Sequence, residues 1–520
     1  MCGITVLWGP AITDAVHHAS LAALSPRGPD VSRREVVNGE YHTGFARLRI
    51  QGDAGSEQPF RLSDGRLVVV NGEIFNWKRL ISSLNLRLAD GASDCAVVPA
   101  LLERGLDLAQ IARQLDGDFA IVVVGAGTVD VCRDPYGVRP LYWGSCADQW
   151  TGVVSEIKGF PAGAHEIRAI EPGTVVSSSK QITWHQVPWL KVPAWRASLE
   201  GLTVGGETLK EALIEAVDKR LSTVRAVGAC VSGGLDSSLV AALAARRVPS
   251  LHTYSIGMAD SPDLAHARDV AAHIGSIHHE RILTAEECIA AVPDVIRAIE
   301  SFDITTVRAS VGNYLLGRFI AEITPEVKVV LNGDGADELL GGYLYMRAAP
   351  DDVAFETEID RLMREIHMFD VARSERSMAA HGLESRSPFL DRQVVAVARG
   401  LPTSALRPTD AHIEKAILRT AFAKDGLLPS SVLWRRKEAF SDGISKSDTV
   451  PWFKRVGVVG SGRSFDVNPP TTPEAMWYRE LWAAEFPDAA AGAVAPHMWM
   501  PRWVNSVDPS ARTLADMYSA

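Results

Sequence analysis

Cysteine is scarce in this 520-residue chain, which has only Cys2, Cys95, Cys132, Cys146, Cys230 and Cys288, with no CxxC pair and no zinc-like spacing. That pattern excludes a disulfide scaffold and a cysteine-ligated structural metal, and leaves reduced thiols, most of them small core residues. His278 and His279 are adjacent, so in a strand they point to opposite faces and do not form a metal pair. Positive charge is not in surplus: the net charge of −10 and a pI near 5.8 argue against the electrostatic footprint of a nucleic-acid binder. Long apolar runs are missing too. The most apolar stretch, AVGACVSGGLDSSLVAALAA, carries Asp236 and a run of Ser and Gly in its middle, so it is not a membrane span. No N-terminal segment has the charged, apolar and small-residue order of a signal peptide, and no internal repeat is visible. The expectation is a cytoplasmic protein with neither nucleic acid nor membrane as partner. Small anionic substrates stay open, because a local site need not follow the global charge.

What is present is ordinary globular material, 47% hydrophobic and 22% charged, in a chain too long for one core. Two domains are expected. In the first, ITVLWG, FARLRI, RLVVVNGEIF, FAIVVVGAG, PLYWG and GTVVSSS are β-rich runs bounded by Gly, Asp and Pro. DAVHHASLAAL and DCAVVPALLERG between them have helical spacing. This predicts a layered α+β domain over 2–185, followed by a Pro- and Gly-punctuated linker over 186–206. From 207 to 520, an amphipathic helix leads into alternating strands and helices: AVGACV, LHTYSIG, HHERIL and VKVVL are the strands. That alternation implies a parallel sheet with helices on both faces, and beyond Tyr343 the chain reads as mainly helical.

Three stretches carry chemistry. The chain opens MCGITVLW, and loss of Met1 would leave Cys2 with a thiol beside a free α-amine of reference pKa roughly 7.7–8.0. Such an amine can serve as the nucleophile's own base. SGGLDSS, Ser232 to Ser238, lies between a strand and a helix, where free backbone N–H groups and the positive helix end suit phosphate. It lacks the lysine of the Gly-x-x-x-x-Gly-Lys-Ser loop, and matches the loop of enzymes that split ATP between its α and β phosphates. NGDGADELLGGY, Asn332 to Tyr343, follows the strand VKVVL, at the sheet edge where ligands bind in such folds. Asp236 and Asp337 are candidate shared ligands for Mg²⁺, a hard cation that takes few carboxylates plus phosphate oxygens.

Together with RGPD, SDC, RDPYGVRPLYWG, SEIKGF, SPDLAHARDVA, FDITTVRAS, HGLESRSPFLD and RRKEAFSDG, these stretches make the chain resemble the glutamine-hydrolysing asparagine synthetases along its whole length. The resemblance implies a class II glutamine amidotransferase domain, an N-terminal-nucleophile αββα sandwich, joined to a PP-loop ATP pyrophosphatase domain with a helical C-terminal part. It implies that Cys2 attacks the glutamine side chain, with Asn71 and the Gly72 backbone serving the oxyanion. Arg47, Glu73 and Asp94, with Asn71 and Gly72, would hold glutamine. Ser232, Gly233, Gly234, Asp236, Ser237 and Ser238 would hold the ATP phosphates, and Ile256 and Gly333 would border the nucleotide. Thr305 and Arg308 match positions near aspartate and pyrophosphate, and Lys437 would stabilise charge developing during adenylation. Glutamine, aspartate, ATP and Mg²⁺ are the implied small molecules, with a β-aspartyl-AMP intermediate, ammonia passed between two sites, and glutamate, AMP and pyrophosphate released. A homodimer is compatible with the sequence.

Some positions depart from the family pattern. Asn332 and Asp334 stand where serine and glutamate are usual, Trp77 where histidine is common, and Pro26 where the pattern has histidine. Asp334 matters most, because the family glutamate assists ammonia's attack and an aspartate reaches roughly 1.5 Å less far. Glu384 and Arg386 could form a structural ion pair rather than a site. Two other readings compete: an amidotransferase for a different carboxylic acid, and a catalytically dead paralogue that binds glutamine or nucleotide as a sensor. Lactam-forming relatives lack a working N-terminal cysteine, so Cys2 counts against them, and Cys2, Asn71, Asp236, Asp337 and Lys437 together count against the dead paralogue.

Overall fold

The computed structural model describes residues 1–53, 56–125, 127–179, 185–188, 202–259, 261–409, 412–436, 451–455, 463–487 and 490–504. In the N-terminal half, two six-stranded antiparallel sheets lie face to face. Gly3–Trp8 is an inner strand of the first, between Tyr41–Arg47 and Trp150–Val154. Leu67–Ile74 and Gly117–Gly125 are central in the second. Ile4, Val6, Phe45, Val69, Ala120 and Val122 fill the space between the sheets, which is why these strands read as nearly unbroken apolar runs. On the outer face of the second sheet, the helices Trp77–Leu84, Val97–Leu102 and Leu108–Gln114 bury Leu80, Val98, Leu101 and Ile111 against Val68, Val70 and Ile121. The helix Asp14–Ala23 packs on the first sheet against Gly3–Trp8 and Tyr41–Arg47, which completes the expected αββα sandwich.

In the C-terminal half, a five-stranded parallel sheet runs in the order Ile277–Leu283, His252–Met258, Ala226–Cys230, Val327–Leu331, Glu384–Arg386. The first four are the expected strands. The fifth, only three residues long, is stabilised by pairing with Val329–Leu331 rather than by any local pattern. The order reverses at Ala226–Cys230 and Val327–Leu331, so both carry their following turns to the crevice at the C-terminal edge. The linker is narrower than expected: His185–Pro188 pairs with Thr174–Ser177 as an edge strand, and the helix Leu202–Arg220 begins before residue 207.

The halves share their cores. Leu48 and Ile50 pack into the cluster that holds Leu235, Leu239, Val329 and Phe389. Met1 and Leu7 join a second cluster with Ile256, Met378 and Leu383. Among the described residues no helix is long and apolar enough to cross a membrane.

Candidate active sites

Cys2 immediately precedes the first strand, Gly3–Trp8, and is buried. Its backbone N–H donates to Asn71 Oδ1 at 2.8 Å, and its Sγ lies 3.9 Å from the Leu48 carbonyl oxygen. Arg27, from RGPD, donates through Nε to the Cys2 carbonyl at 2.9 Å and is itself anchored by Glu156 and Glu375. Asn71 thus uses its oxygen to fix the nucleophile, while its buried Nδ2 has no hydrogen-bond partner. An orphaned amide donor beside a buried thiol is what an oxyanion would satisfy. Gly72 is required sterically: a Cβ there would lie 2.2 Å from the Asp118 carbonyl oxygen and 2.7 Å from Phe119 Cα.

Burial pushes the Cys2 thiol up, while the N-terminal ammonium and Arg47 work in the opposite direction. Arg47 donates to the carbonyls of Gln51 (2.9 Å) and Asp53 (3.4 Å), which hold its guanidinium beside the thiol. Asp94 accepts the Ile74 N–H at 2.6 Å, and burial lifts its carboxyl to about 6. Glu73 is raised well above the usual range by burial and by Asp94, and is partly relieved by Arg386 from the other half at 3.1 Å. All the glutamine-site candidates, Cys2, Arg47, Asn71, Gly72, Glu73 and Asp94, therefore gather at one place. With Met1 in place, the α-ammonium is one residue away from Cys2 and pairs with Glu384 at 3.1 Å.

The second site is a cavity of about 240 Å³ at the crevice edge of the parallel sheet. SGGLDSS forms the turn between Ala226–Cys230 and the helix Leu235–Ala245. Gly233 adopts φ +71°, and a Cβ there would meet His266 Cβ at 2.6 Å and the Asp263 carbonyl at 2.7 Å. Ser232 and Ser237 are tied hydroxyl to hydroxyl at 2.9 Å. NGDG packs directly on this turn: a Cβ at Gly333 would lie 2.5 Å from the Ser237 nitrogen. Ser232, Gly234, Asp236, Ser237, Ile256, Thr305, Gly333, Asp334 and Asp337 all line the cavity, whereas Gly233 and Ser238 lie behind its wall.

Arg308 is not among the residues that line the cavity, although its helix neighbours Thr305 and Ala309 are. Its guanidinium forms a two-point pair with Glu474 (2.7 and 2.5 Å) and stacks 3.8 Å over the Phe453 ring, outside the cavity lining. Lys437 lies outside the described residues. Two residues earlier, Arg435 donates to the Gly233 carbonyl at 3.0 Å and to Asp263 at 2.6 Å.

Lys415 was not singled out by its sequence. Its buried ammonium sits between Asp236 (2.5 Å) and Asp337 (2.6 Å). The two carboxylates therefore converge on one cation-sized point, and Asp236 Oδ1 is buried with no partner. This donor set fits Mg²⁺ bound with phosphate oxygens. Gly342 makes the lysine's approach feasible, because a Cβ there would lie 2.1 Å from Lys415 Cε. The repeated glycine of LLGGY was the available signal.

Asp334 is held by Arg373 Nη2 at 2.9 Å through Oδ1, while its Oδ2 is buried without a partner. Arg373 also binds Asp370 at 2.9 Å and Asn313 at 3.2 Å. Burial, Asp370 and Asp337 raise Glu338 well above the usual carboxylate range, and Tyr343 bonds to it. Glu384 and Arg386 do form an ion pair, at 2.7 Å, and Arg386 uses another arm to reach Glu73.

Comparisons with known proteins match both halves of the chain. The family described as Glutamine amidotransferase domain matches residues 1–185, and Asparagine synthase matches 208–360 and 347–504. The glutamine-hydrolysing asparagine synthetase of Gallus gallus is 39% identical, and those of Bos taurus and Homo sapiens are 38% identical. Each alignment covers 100% of this chain and 100% of the relative. The chain belongs to the glutamine-hydrolysing asparagine synthetase family.

Proposed function

We infer that this protein makes asparagine from aspartate, with glutamine as nitrogen donor and ATP as the activating substrate. The observation that carries the reading is the direct contact between a buried cysteine site and a pyrophosphate-loop site: Glu73 of the first pairs with Arg386, whose strand borders the second.

Removal of Met1 puts the free amine on the Cys2 nitrogen, which already sits 2.8 Å from Asn71 Oδ1. From there it can take the thiol proton as sulfur attacks the glutamine amide, then return it to the leaving nitrogen as the C–N bond breaks, giving the thioester and ammonia. Asn71 Nδ2 meets the oxyanion, Arg47 pairs with the α-carboxylate, and Asp94 with Glu73 receives the α-ammonium. Glutamate leaves after hydrolysis of the thioester. Ammonia protonated in bulk water is no nucleophile, so an internal route matters. Met1, Leu383, Met378 and Ile256 form one apolar cluster between the sites, through which neutral ammonia travels once Met1 is gone.

At the second site, an aspartate side-chain carboxylate oxygen attacks the α-phosphorus of ATP and pyrophosphate leaves, giving β-aspartyl-AMP. Ser232, Ser237 and the turn amides hold phosphate oxygens, and Ile256 and Gly333 flank the nucleotide. Mg²⁺, held by Asp236 and Asp337, would neutralise pyrophosphate charge. Lys415 then moves from between the two carboxylates to the phosphates, and Lys437 serves the charge that develops on adenylation. Ammonia displaces AMP, and the unpartnered Asp334 Oδ2 takes its proton while Arg373 holds the other oxygen. The shorter aspartate is thus anchored from behind rather than extended toward the substrate. Six free thiols suit a reducing, cytoplasmic setting.

The test is product identification with ATP, Mg²⁺, glutamine and a panel of carboxylic acids. Asparagine, AMP and pyrophosphate from aspartate are expected. Amidation of another acid in preference to aspartate would replace this acceptor.

A further inference from the structure

Asn332 departs from the family pattern, and its side chain makes contacts that a serine cannot. Its Nδ2 donates to Ser385 Oγ at 2.7 Å, and its Oδ1 accepts from Ser387 Oγ at 2.7 Å. The same Oδ1 accepts the Asp334 N–H at 3.2 Å, and the Asn332 N–H donates to the Arg386 carbonyl at 3.1 Å. Asn332, Ser385 and Ser387 are all buried, so these bonds do not compete with solvent. A serine has one oxygen on one carbon, too short to grip both hydroxyls while also ordering the Asp334 amide.

The segment gripped this way has a second attachment. Side chains alternate along an extended strand, so Ser385 and Ser387 face Asn332 while Arg386 faces the other way. Arg386 reaches Glu73 at 3.1 Å and Glu384 at 2.7 Å, and donates to the carbonyls of Arg220 (2.6 Å) and Ser222 (3.0 Å). A continuous run of polar contacts therefore leads from the glutamine pocket through Arg386 and its two flanking serines to Asn332 and then Asp334. Glutamine places an ammonium beside Glu73 and Asp94, which weakens the hold of Glu73 on Arg386. Any shift of this three-residue strand is carried by Asn332 to the loop that bears Asp334.

We propose that Asn332 is a positioning residue that couples occupancy of the glutamine pocket to the placement of Asp334, through the strand Glu384–Arg386. The proposal rests on the function inferred above. Coupling of this kind is reciprocal, so filling the synthetase site must alter glutamine binding by the same factor. The prediction is that ATP with aspartate lowers the glutamine Kd of the Met1-processed parent by about 5-fold or more, the lower end of usual coupling, and the glutamine KM follows it when thioester formation is slow relative to glutamine release.

Ser387→Ala removes one grip on Asn332 without touching either site, and Asn332→Ser restores the family residue. Both variants are expected to lose that KM response at least 3-fold and to release more glutamate per asparagine formed. Glutaminase activity of Ser387→Ala without ATP stays at the parent level. A purely structural role predicts instead a lowered melting temperature with an unchanged KM response. The proposal is overturned by a parent whose glutamine KM ignores ATP and aspartate, or by folded variants that respond as the parent does. If Asn332→Ser does not fold, Ser387→Ala decides alone. Asparagine formation from aspartate and ammonium chloride by the parent is the control. Its absence removes the functional reading, whereas its presence with an intact KM response in the variants removes only Asn332.

Discussion

The two sites solve opposite problems. The glutamine site is built on strand ends and closed: Cys2, Arg47, Asn71, Glu73 and Asp94 are each at most 9% exposed, and each is fixed by backbone or buried partners. The synthetase site is a cavity with the Lys415 ammonium between two aspartates on its wall, and Arg435 and Arg436 also line it. A site that liberates ammonia gains from excluding water. A site that takes in ATP and aspartate needs room and a cation-binding point that can change hands.

The strongest way to break this comparison is Cys2→Ala. Losing the nucleophile is expected to lower glutamine hydrolysis by at least about 10³-fold, while ammonia-driven synthesis stays within about 2-fold of the parent. Glutamate release near the parental rate would remove Cys2 from its role and leave it a core thiol.

Next in size is Lys415→Met. Removing one partner of a buried ion pair costs about 3–5 kcal/mol, because Asp236 and Asp337 are left facing each other. The nucleotide-free variant should melt well below the parent, and millimolar Mg²⁺ should recover most of the loss. If Mg²⁺ leaves the variant's melting temperature unchanged, the two carboxylates do not share a cation.

The pH dependence is a smaller effect and sharpens the picture of the closed site. Asp94 must be ionised to receive the glutamine ammonium, and burial lifts its carboxyl to about 6. Protonation as pH falls through that value therefore weakens binding. On top of the rise set by the Cys2 α-amine between about pH 7 and 8, the kcat/KM for glutamine should show a further fall, up to about 10-fold per unit, below pH 6. A profile with no further fall down to pH 4.5 would show that Asp94 carries no such role.

Much of this architecture is visible in the letters because buried strands are apolar on both faces. VVVNGEI and AIVVV lie between the two layers they pack against, and read as strands for that reason. Val31–Val37 is an edge strand with Ser32, Arg33 and Arg34 exposed, so its sequence, VSRREVV, carries no apolar alternation to find. Glu384–Arg386 exists only through pairing with Val329–Leu331, and a three-residue strand has no period. The site residues followed the same division. Those inside Gly-rich turns were legible, since the turns are needed for backbone approach. Lys415 was not, because it stands just outside the helix Ala416–Phe422 with φ 57°, distant in sequence from both aspartates it binds. The pairing of Arg308 with Glu474 was not legible either, because the two are 166 positions apart.

If nitrogen passes from the closed site to the open one without entering solvent, the isotope of glutamine reaches asparagine undiluted. The most direct measurement supplies glutamine labelled with ¹⁵N in its side-chain amide, together with ATP, aspartate and an excess of unlabelled ammonium, and reads the isotope content of the asparagine formed. Passage through the apolar cluster predicts asparagine that keeps most of the label at ammonium concentrations below the KM for external ammonia. Label diluted to the isotope ratio of the bulk ammonium pool would contradict the account, and would leave two independent enzymes sharing one chain.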